Sequence, residues 1–281
     1  MEGDLSVTAL YTSQVWTWGG LSCAHLFMTR EAKRVFDATN AALAAASLFK
    51  RSSAPLRYAL LHRHTMIDHL LLGSGTRRVL ELAAGLSRRG AAVSGDPSID
   101  YTEIDLPLVI AKKRALLERT PEGRGVLARP GLHLIEGDLD TLALEPYVAA
   151  GEPVYVIAEG LMMYLTAEPR RQLFAKIRAL AERTGELRFV FDLVPSDEEP
   201  LPGAMGRVLE AAMKRFTGGR TFERDARSRA DVIGELREAG FDEVEAIGSA
   251  AVAGPWGLPH ADRETPTVVF ASRAASPAIR S

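Results

Sequence analysis

The chain has 281 residues, 47% of them hydrophobic, and a formal net charge of −2. This length accommodates one large α/β domain with a cap, and it allows an ample core. Charges of both signs are interspersed, so the sequence has no basic run of the kind that binds nucleic acids. The single cysteine, Cys23, excludes an internal disulfide and a cysteine-rich zinc site.

No segment has the features of a membrane span or of a secretory leader. The longest apolar runs fall far short of the ~20 residues that cross a bilayer. The N-terminus also lacks a basic start followed by an apolar stretch. We therefore expect a cytoplasmic protein that has neither a membrane nor a nucleic acid as its partner.

Residues 1–75 are predicted to form an N-terminal helical lid. Helical patterns cover residues 24–72, with alanine-rich turns at 40–46 and an amphipathic stretch over 56–72. No strand pattern precedes Arg78.

From Arg78 onward, strand and helix patterns alternate, which is typical of a parallel sheet covered by helices. Strands are predicted at 79–82, 101–104, 132–135, 154–159, 187–192, 244–247 and 267–271, and helices at 106–119, 167–183 and 230–239. The pattern predicts an α/β fold with a seven-stranded sheet over residues 76–273. An insertion after strand five, 194–225, contains a short helix at 207–216 and is assigned to the lid. Residues 274–281 are predicted to be a flexible tail.

The first strand runs into a turn of small residues, 82–85, where a ligand can lie against the backbone. Glu81 provides an acid at the end of this strand. Asp105 ends the second strand at the spacing at which nucleotide-binding α/β folds place an acid beside a ribose. Asp105 is also a good N-cap for the helix that follows, because Pro107 comes shortly after it. These features predict a site for an adenosine-containing cofactor.

Four segments have an order and a spacing that resemble the leucine carboxyl methyltransferase family. They are His62-Arg-His-Thr-Met-Ile-Asp68, Leu80-Glu-Leu-Ala-Ala-Gly-Leu86, Glu103-Ile-Asp-Leu-Pro107 followed by Lys112, and Ala158-Glu-Gly-Leu-Met-Met-Tyr-Leu165. The resemblance is closer to the bacterial polyketide O-methyltransferases than to the eukaryotic enzymes that methylate a phosphatase C-terminus. It implies a class I methyltransferase with a Rossmann-like sheet and S-adenosylmethionine as its cofactor.

The resemblance also implies a set of cofactor-binding residues. They are Arg63, Glu81, Ala83, Gly85, Asp105, Asp138, Leu139 and Glu159. In the family, the residue that corresponds to Arg63 binds the cofactor's carboxylate, and the acid that corresponds to Asp105 binds the ribose. Asp138 takes the adenine amino group beside Leu139, and Glu159 faces the cofactor's ammonium group, which would supply the partner that a buried carboxylate needs. The alternatives are a surface salt bridge for Arg63 and an ordinary turn role for Asp138.

The sequence departs from the family at two positions of the turn after strand one. Ala83 stands where the family has a glycine, and Ser87 stands where it has an aspartate. These departures leave open a protein that binds the cofactor without catalysing methyl transfer.

Aromatic and sulfur-containing side chains near the site are candidate contacts for the methyl acceptor. The candidates are Tyr11, Trp16, Met162 and Tyr164, and Trp18 and Phe216 could extend the same apolar wall. The alternative interpretation is that these side chains pack the lid onto the core.

Metal-dependent and covalent chemistries lack the residue patterns that they require. His62, His64 and His69 lie on one predicted helix without the i, i+4 pairing of a zinc helix, so no metal is expected. The sequence contains neither a Gly-x-Ser-x-Gly elbow nor a Gly-x-Gly-x-x-Gly fingerprint.

The sequence thus predicts an S-adenosylmethionine-dependent O-methyltransferase that converts a carboxylate of a small molecule, such as a polyketide-like acid, into a methyl ester. A carboxylate is already ionised, so we predict no particular catalytic residue. The alternatives are a protein C-terminal carboxylate, or a phenol or hydroxyl acceptor for which His25, His64 or Tyr164 would be the candidate base.

Overall fold

A computed structural model describes residues 7–47, 56–195 and 227–276. In these ranges the chain forms a seven-stranded sheet with helices on both faces. The predicted helix at 207–216, most of the predicted insertion at 194–225, and Phe216 lie outside the described residues.

The strands of the sheet agree closely with the seven predicted from the sequence. They are β1 Arg78–Leu82, β2 Asp100–Asp105, β3 Leu132–Glu136, β4 Val154–Ala158, β5 Glu186–Leu193, β6 Glu243–Gly248 and β7 Val268–Ala275. Their order is β3-β2-β1-β4-β5-β7-β6, and β7 runs antiparallel to both of its neighbours. Strands β2 and β3 lie on one side of β1, and β4 begins the strands on its other side. In sheets of this kind, ligands bind at the carboxyl ends of the strands beside this change of side.

The last strand extends into the segment that was predicted to be a flexible tail. Ala274 and Ala275 belong to β7, where Ala275 pairs with Glu186. The backbone N–H of Ser276 donates to the carbonyl of Gly185 at 2.8 Å. The tail prediction was therefore wrong for residues 274–276, because pairing with β5 orders a segment whose own composition is not strand-like.

Helices cover the sheet and form the N-terminal region. They are α1 Val7–Trp18, α2 Arg30–Ser47, α3 Leu56–Gly73, α4 Arg89–Val93, α5 Pro107–Glu118, α6 Pro121–Leu127, α7 Ala167–Thr184, α8 Arg229–Glu238 and α9 Ser249–Val252. The helical prediction for 24–72 was too continuous, because a 3₁₀ turn at Ala24–Phe27 precedes α2. None of the helices in the described ranges combines the length and the apolar character that a bilayer crossing requires.

Alternate residues of the central strands supply two separate cores. In β4, Val154, Val156 and Ala158 face a core that includes α7 and α8, while Tyr155 and Ile157 face a core that includes α3 and α5. All five residues of β4 are buried, as expected for a central parallel strand. A third apolar cluster joins α1, α2 and α3, so the N-terminal helices pack on one another.

Candidate active site

The predicted cofactor residues lie at the carboxyl ends of the parallel strands, where strand order reverses. Ala83 and Gly85 follow β1, Asp105 ends β2, Asp138 follows β3 and Glu159 follows β4. The structure divides these residues, apart from Gly85, between two neighbouring features. One is an open cavity, and the other is a buried group of charges.

The cavity has a volume of about 220 Å³ and lies between the loops after β1–β3 and the start of α7. Its lining residues are Ala83, Asp105, Leu106, Gly137, Asp138, Leu139, Asp140, Leu161, Leu165, Pro169, Gln172, Leu173 and Lys176. Four of the eight predicted cofactor residues are therefore in its wall. Three aspartates and one lysine give this wall a negative balance of charge.

The turn after β1 is held in place by Asp105. Its carboxylate accepts a hydrogen bond from the N–H of Gly85 at 2.7 Å and another from the N–H of Leu106 at 2.7 Å. Burial raises the pKa of Asp105 above its usual value, although these two N–H donors oppose that effect. The N-cap interpretation of Asp105 was wrong, because Leu106 occupies the N-cap position of α5 and Asp105 lies outside the helix.

Glu103, the other acid of β2, does not reach the cavity. Its side chain is fully buried and contacts the ammonium group of Lys113 on α5. Of these two acids of β2, only Asp105 lies in the cavity wall.

The turn role that the sequence left open for Asp138 is confirmed by one of its carboxylate oxygens. Its Oδ1 atom accepts a hydrogen bond from the N–H of Asp140 at 3.0 Å, as a turn aspartate does. Within the described ranges Oδ2 has no hydrogen-bond partner, and the residue lies on the cavity wall. Leu139 is half-buried beside it and supplies an apolar surface.

The buried charges form what we call the carboxylate–arginine cluster. Its members are Arg63, Asp68, Glu81, Arg88, Arg89, Glu159 and Asp192. Arg63 Nε donates to Glu159 Oε1 at 3.0 Å, and Arg63 Nη1 donates to Asp192 Oδ2 at 3.0 Å. The surface salt-bridge interpretation of Arg63 is therefore wrong, because its side chain is only 10% exposed and joins the ends of β4 and β5.

Arg89 is the centre of this cluster and binds three carboxylates. Its guanidinium donates to Asp68 Oδ1 at 2.6 Å, to Glu159 Oε2 at 2.7 Å and to Glu81 Oε1. The second oxygen of Glu81 accepts from the hydroxyl of Tyr101 at 2.7 Å. Because Glu81 is 1% exposed and both its oxygens have protein partners, it lies in the cluster and not in the cavity wall.

Glu159 has protein partners where a cofactor ammonium was expected. Burial alone would raise its pKa, but His64, Arg89 and Arg63 together hold that pKa well below the usual range. The Nδ1–H of His64 donates to Glu159 Oε2 at 2.9 Å, and Arg88 Nε donates to His64 Nε2 at 3.2 Å. Both nitrogens of this imidazole are therefore engaged.

The His64 ring is an unsuitable general base in this arrangement. It is fully buried, and burial lowers its pKa to about 3 despite the neighbouring Glu159. The ring of Trp16 stacks on it with the centroids 4.0 Å apart. His25, another candidate base, is exposed and lies 2.9 Å from a carboxylate oxygen of Glu122.

The four candidate substrate residues occupy different environments. Tyr11 packs on Phe36 and its hydroxyl donates to Asn40 at 3.2 Å, and Trp16 is buried in the same N-terminal cluster. Met162 is fully buried in the core that contains α7. The packing interpretation fits these three. Tyr164 is half-buried and its hydroxyl bonds with the Thr8 side chain, so it connects the loop after β4 to α1.

Several residues of the site were not predicted from the sequence. Arg88, Arg89 and Asp192 belong to the cluster, and Lys176 belongs to the cavity wall. Asp192 had a recognisable signal, because it interrupts an apolar strand near its carboxyl end as Glu159 does. The pair of arginines that follows a turn of small residues was a second signal. Lys176 had no such signal, because the sequence of α7 has the pattern of an ordinary amphipathic helix.

The chain is similar to known proteins in sequence and in structure. The family model described as leucine carboxyl methyltransferase matches residues 22–178. A candidate S-adenosyl-L-methionine-dependent methyltransferase of Mycobacterium ulcerans is 31% identical over 183 residues, which cover 61% of this chain and 56% of that protein. One of Mycobacterium tuberculosis is 32% identical over 111 residues, covering 38% of this chain and 35% of that protein. The chain thus spans about half, or less, of the length of these relatives.

Solved structures share the fold at low sequence identity. A candidate methyltransferase from Thermobifida fusca has a TM-score of 0.60 at 13% identity, covering 98% of this chain and 97% of that one. A candidate O-methyltransferase from Nostoc punctiforme has a TM-score of 0.54 at 13% identity, covering 95% and 72%. The order of the seven strands and the helices on both faces are the fold of the class I methyltransferases, which use S-adenosylmethionine as cofactor. Within that class, the chain belongs to the leucine carboxyl methyltransferase family.

Proposed function

We propose that the protein is an S-adenosylmethionine-dependent methyltransferase that converts a small-molecule carboxylate, such as that of a polyketide-like acid, into a methyl ester. The observation that carries the proposal is the cavity at the carboxyl edge of the sheet, where Asp105, Asp138 and Leu139 meet in one wall. Family membership supports the same chemistry.

The cavity wall suits the nucleoside half of the cofactor. Asp105 would accept hydrogen bonds from the ribose hydroxyls, and Asp138 Oδ2 would accept one from the adenine amino group. Leu106 and Leu139 supply apolar surface in the same wall. The excess of carboxylates disfavours phosphorylated nucleotides and favours a ligand that carries positive charge.

The carboxylate–arginine cluster suits the methionine half. It contains four acids, Asp68, Glu81, Glu159 and Asp192, against the guanidinium groups of three arginines. An ammonium group near Glu159 would offset the excess negative charge of the cluster, and Oε1 of Glu159 accepts only one hydrogen bond among the described residues. Gly160 leaves room beside Arg63, because a Cβ atom there would lie 3.3 Å from Arg63 Nη2.

The acceptor chemistry follows from the ionisable groups around the site. When it is bound, the cofactor supplies an electrophilic methyl group on a sulfonium. A phenol or an alcohol needs a base, but His64 is neutral and buried, and burial raises the pKa of Tyr164. A carboxylate acceptor needs only alignment and exclusion of water, which makes it the favoured acceptor for the described residues.

The test is transfer of a labelled methyl group from S-adenosylmethionine to a panel of small aromatic and aliphatic acids and phenols, followed by mild base. Methyl esters release volatile methanol under these conditions, so base-labile label in acid acceptors is the expected result. Base-stable label would mean an ether or amine product and would overturn the carboxylate acceptor. Label found only in an added protein extract would identify a protein carboxylate instead.

Asp105→Asn provides the matched control for this assay. An amide keeps the size of the side chain but cannot accept bonds from a ribose diol as a carboxylate does, so its apparent KM for the cofactor should rise. Cofactor binding by the wild type without transfer to any acceptor would indicate a protein that binds the cofactor without catalysis.

A further inference from the structure

One peptide group in the cavity wall is fixed at both of its ends. The carbonyl of Leu139 accepts a hydrogen bond from Lys176 Nζ at 2.8 Å. The N–H of Asp140, which belongs to the same peptide group, donates to Asp138 Oδ1 at 3.0 Å. Lys176 and Asp138 are therefore connected through a single rigid amide plane.

The rest of this loop is already held by its own backbone. The N–H groups of Thr141 and Leu142 donate to the Asp138 carbonyl at 3.0 and 2.7 Å, and Gly137 N–H donates to the Asp105 carbonyl at 2.9 Å. A side chain at Gly137 does not fit, since a Cβ atom would lie 2.5 Å from Leu142. The peptide between Leu139 and Asp140 is the part of the loop that a side chain from elsewhere in the fold holds.

Lys176 reaches this peptide because one face of α7 lines the cavity. Pro169, Gln172, Leu173 and Lys176 are the α7 residues in the wall, and their spacing places them on one side of the helix. Lys176 is half-buried, so its bond to the carbonyl is partly shielded from water.

We propose that Lys176 is a positioning residue for base recognition in the nucleoside pocket. Its ammonium group fixes the Leu139–Asp140 peptide and polarises it, which strengthens the N–H donor that Asp140 presents to Asp138. Asp138 Oδ1 is thereby occupied, and Oδ2 remains free for the amino group of an adenine. This role rests on the proposed function, because it requires an adenosine-containing ligand.

The test compares two ligands whose purine rings differ at position 6 and in the hydrogen on N1. S-adenosylhomocysteine carries the amino donor, while S-inosylhomocysteine carries a carbonyl oxygen that cannot donate. The wild type should prefer the adenine ligand by about tenfold or more in Kd, the effect of one hydrogen bond to a charged group. Lys176→Met should reduce this preference to less than about threefold, and Lys176→Arg, which can still donate to the carbonyl, should keep most of it.

Two further variants separate positioning from general damage. Arg171→Met removes an exposed cation from the same helix and should leave the preference unchanged. Asp138→Asn should lower the preference by itself, and adding Lys176→Met to it should have little further effect, because both act through one carboxylate. If Lys176→Met does not fold, Lys176→Leu, which also cannot donate to the carbonyl, replaces it in the same comparison.

The outcomes distinguish this proposal from the proposed function. Equal weakening of both ligands in the Lys176 variants, or an unchanged preference, would overturn the positioning role while leaving the cofactor assignment intact. If the wild type binds neither ligand, the proposed function itself fails. A lost preference in Lys176→Met that Lys176→Arg restores is the supporting result.

Discussion

The Cβ methyl group of Ala83 makes the backbone conformation of the turn after β1 less favourable. Its φ angle of 51° lies in the left-handed region, which costs a residue with a Cβ about 1–2 kcal/mol. The family has glycine at this position, and Gly85, two residues later, adopts a similar φ of 53°. The sequence therefore places an unfavourable residue where the backbone conformation requires the freedom of glycine.

Replacing Ala83 with Gly should stabilise the protein slightly. Relief of the left-handed strain exceeds the added freedom of the unfolded chain, about 0.4–1 kcal/mol, so the free energy of unfolding should rise by about 0.5 kcal/mol. Urea denaturation measures this change. Ala84→Gly is the matched control, because Ala84 does not have a positive φ and should lose stability. Equal destabilisation of the two variants would contradict the strain argument.

His64 should make the stability of the protein depend on pH. Its folded pKa of about 3 lies below the value of roughly 6.5 for an unfolded histidine. Between these values the unfolded chain binds one more proton, so stability is present above about pH 6.5 and falls as the pH decreases, by up to about 1.4 kcal/mol per pH unit. His64→Gln should reduce this slope between pH 7 and pH 4.5 in urea titrations.

The control for that prediction is His25→Gln, at an exposed side chain. This variant tests whether the loss of any one imidazole changes the slope, and an equal change in both variants would contradict the assignment to the buried ring. A wild-type slope in His64→Gln would mean that the buried ring is not held neutral.

Among the elements, α1 connects the N-terminal helices to the site. Trp16 is 3% exposed and stacks on His64, and Thr8 bonds with Tyr164 in the loop after β4. These contacts place α1 against the site through packing and hydrogen bonds. The open question from the sequence was whether such aromatic residues form a substrate wall or pack the lid, and the buried stack favours packing for Trp16.

Trp16→Ala should therefore destabilise the whole protein. Truncating a buried aromatic side chain costs about 3–5 kcal/mol, because the contacts are lost and a cavity remains. Chemical denaturation measures the loss, and cofactor binding and turnover should decline together. Trp256→Ala, where the ring is half-buried against His69, should cost less. A folded, fully stable Trp16→Ala with reduced turnover alone would restore the substrate-wall interpretation.

At the scale of the whole molecule, the proposed cofactor site joins loops from four parallel strands, so a ligand there should stabilise the entire fold. S-adenosylhomocysteine at 100 times its Kd should raise the free energy of unfolding by about 2.7 kcal/mol. Thermal unfolding with increasing ligand measures this gain. At the same ligand concentration, Asp105→Asn should show a smaller gain. Adenosine diphosphate should give little stabilisation, because the cavity wall carries an excess of carboxylates.

The sequence by itself determined the sheet and four of the residues that line the cavity. Strand and helix periodicity is local, so seven strands and most helices could be predicted from it. The positions of Asp105 at the end of β2 and of Gly85 in the turn after β1 could be predicted, because turn residues and strand ends are also local signals. The alternation did not indicate that Ala274 and Ala275 continue β7, since that depends on pairing with a distant strand.

Only the tertiary structure decided the partners of the charged residues. Arg63 meets Glu159 and Asp192, which lie 96 and 129 residues away along the chain, and Glu159 therefore has guanidinium partners in the protein itself. Lys176 lies 37 residues from the Leu139 carbonyl that it binds, on a helix whose pattern suggests only burial. A pattern along the chain shows that a buried charge needs a partner, but the partner is set by which strand ends and helix faces the folded sheet brings together.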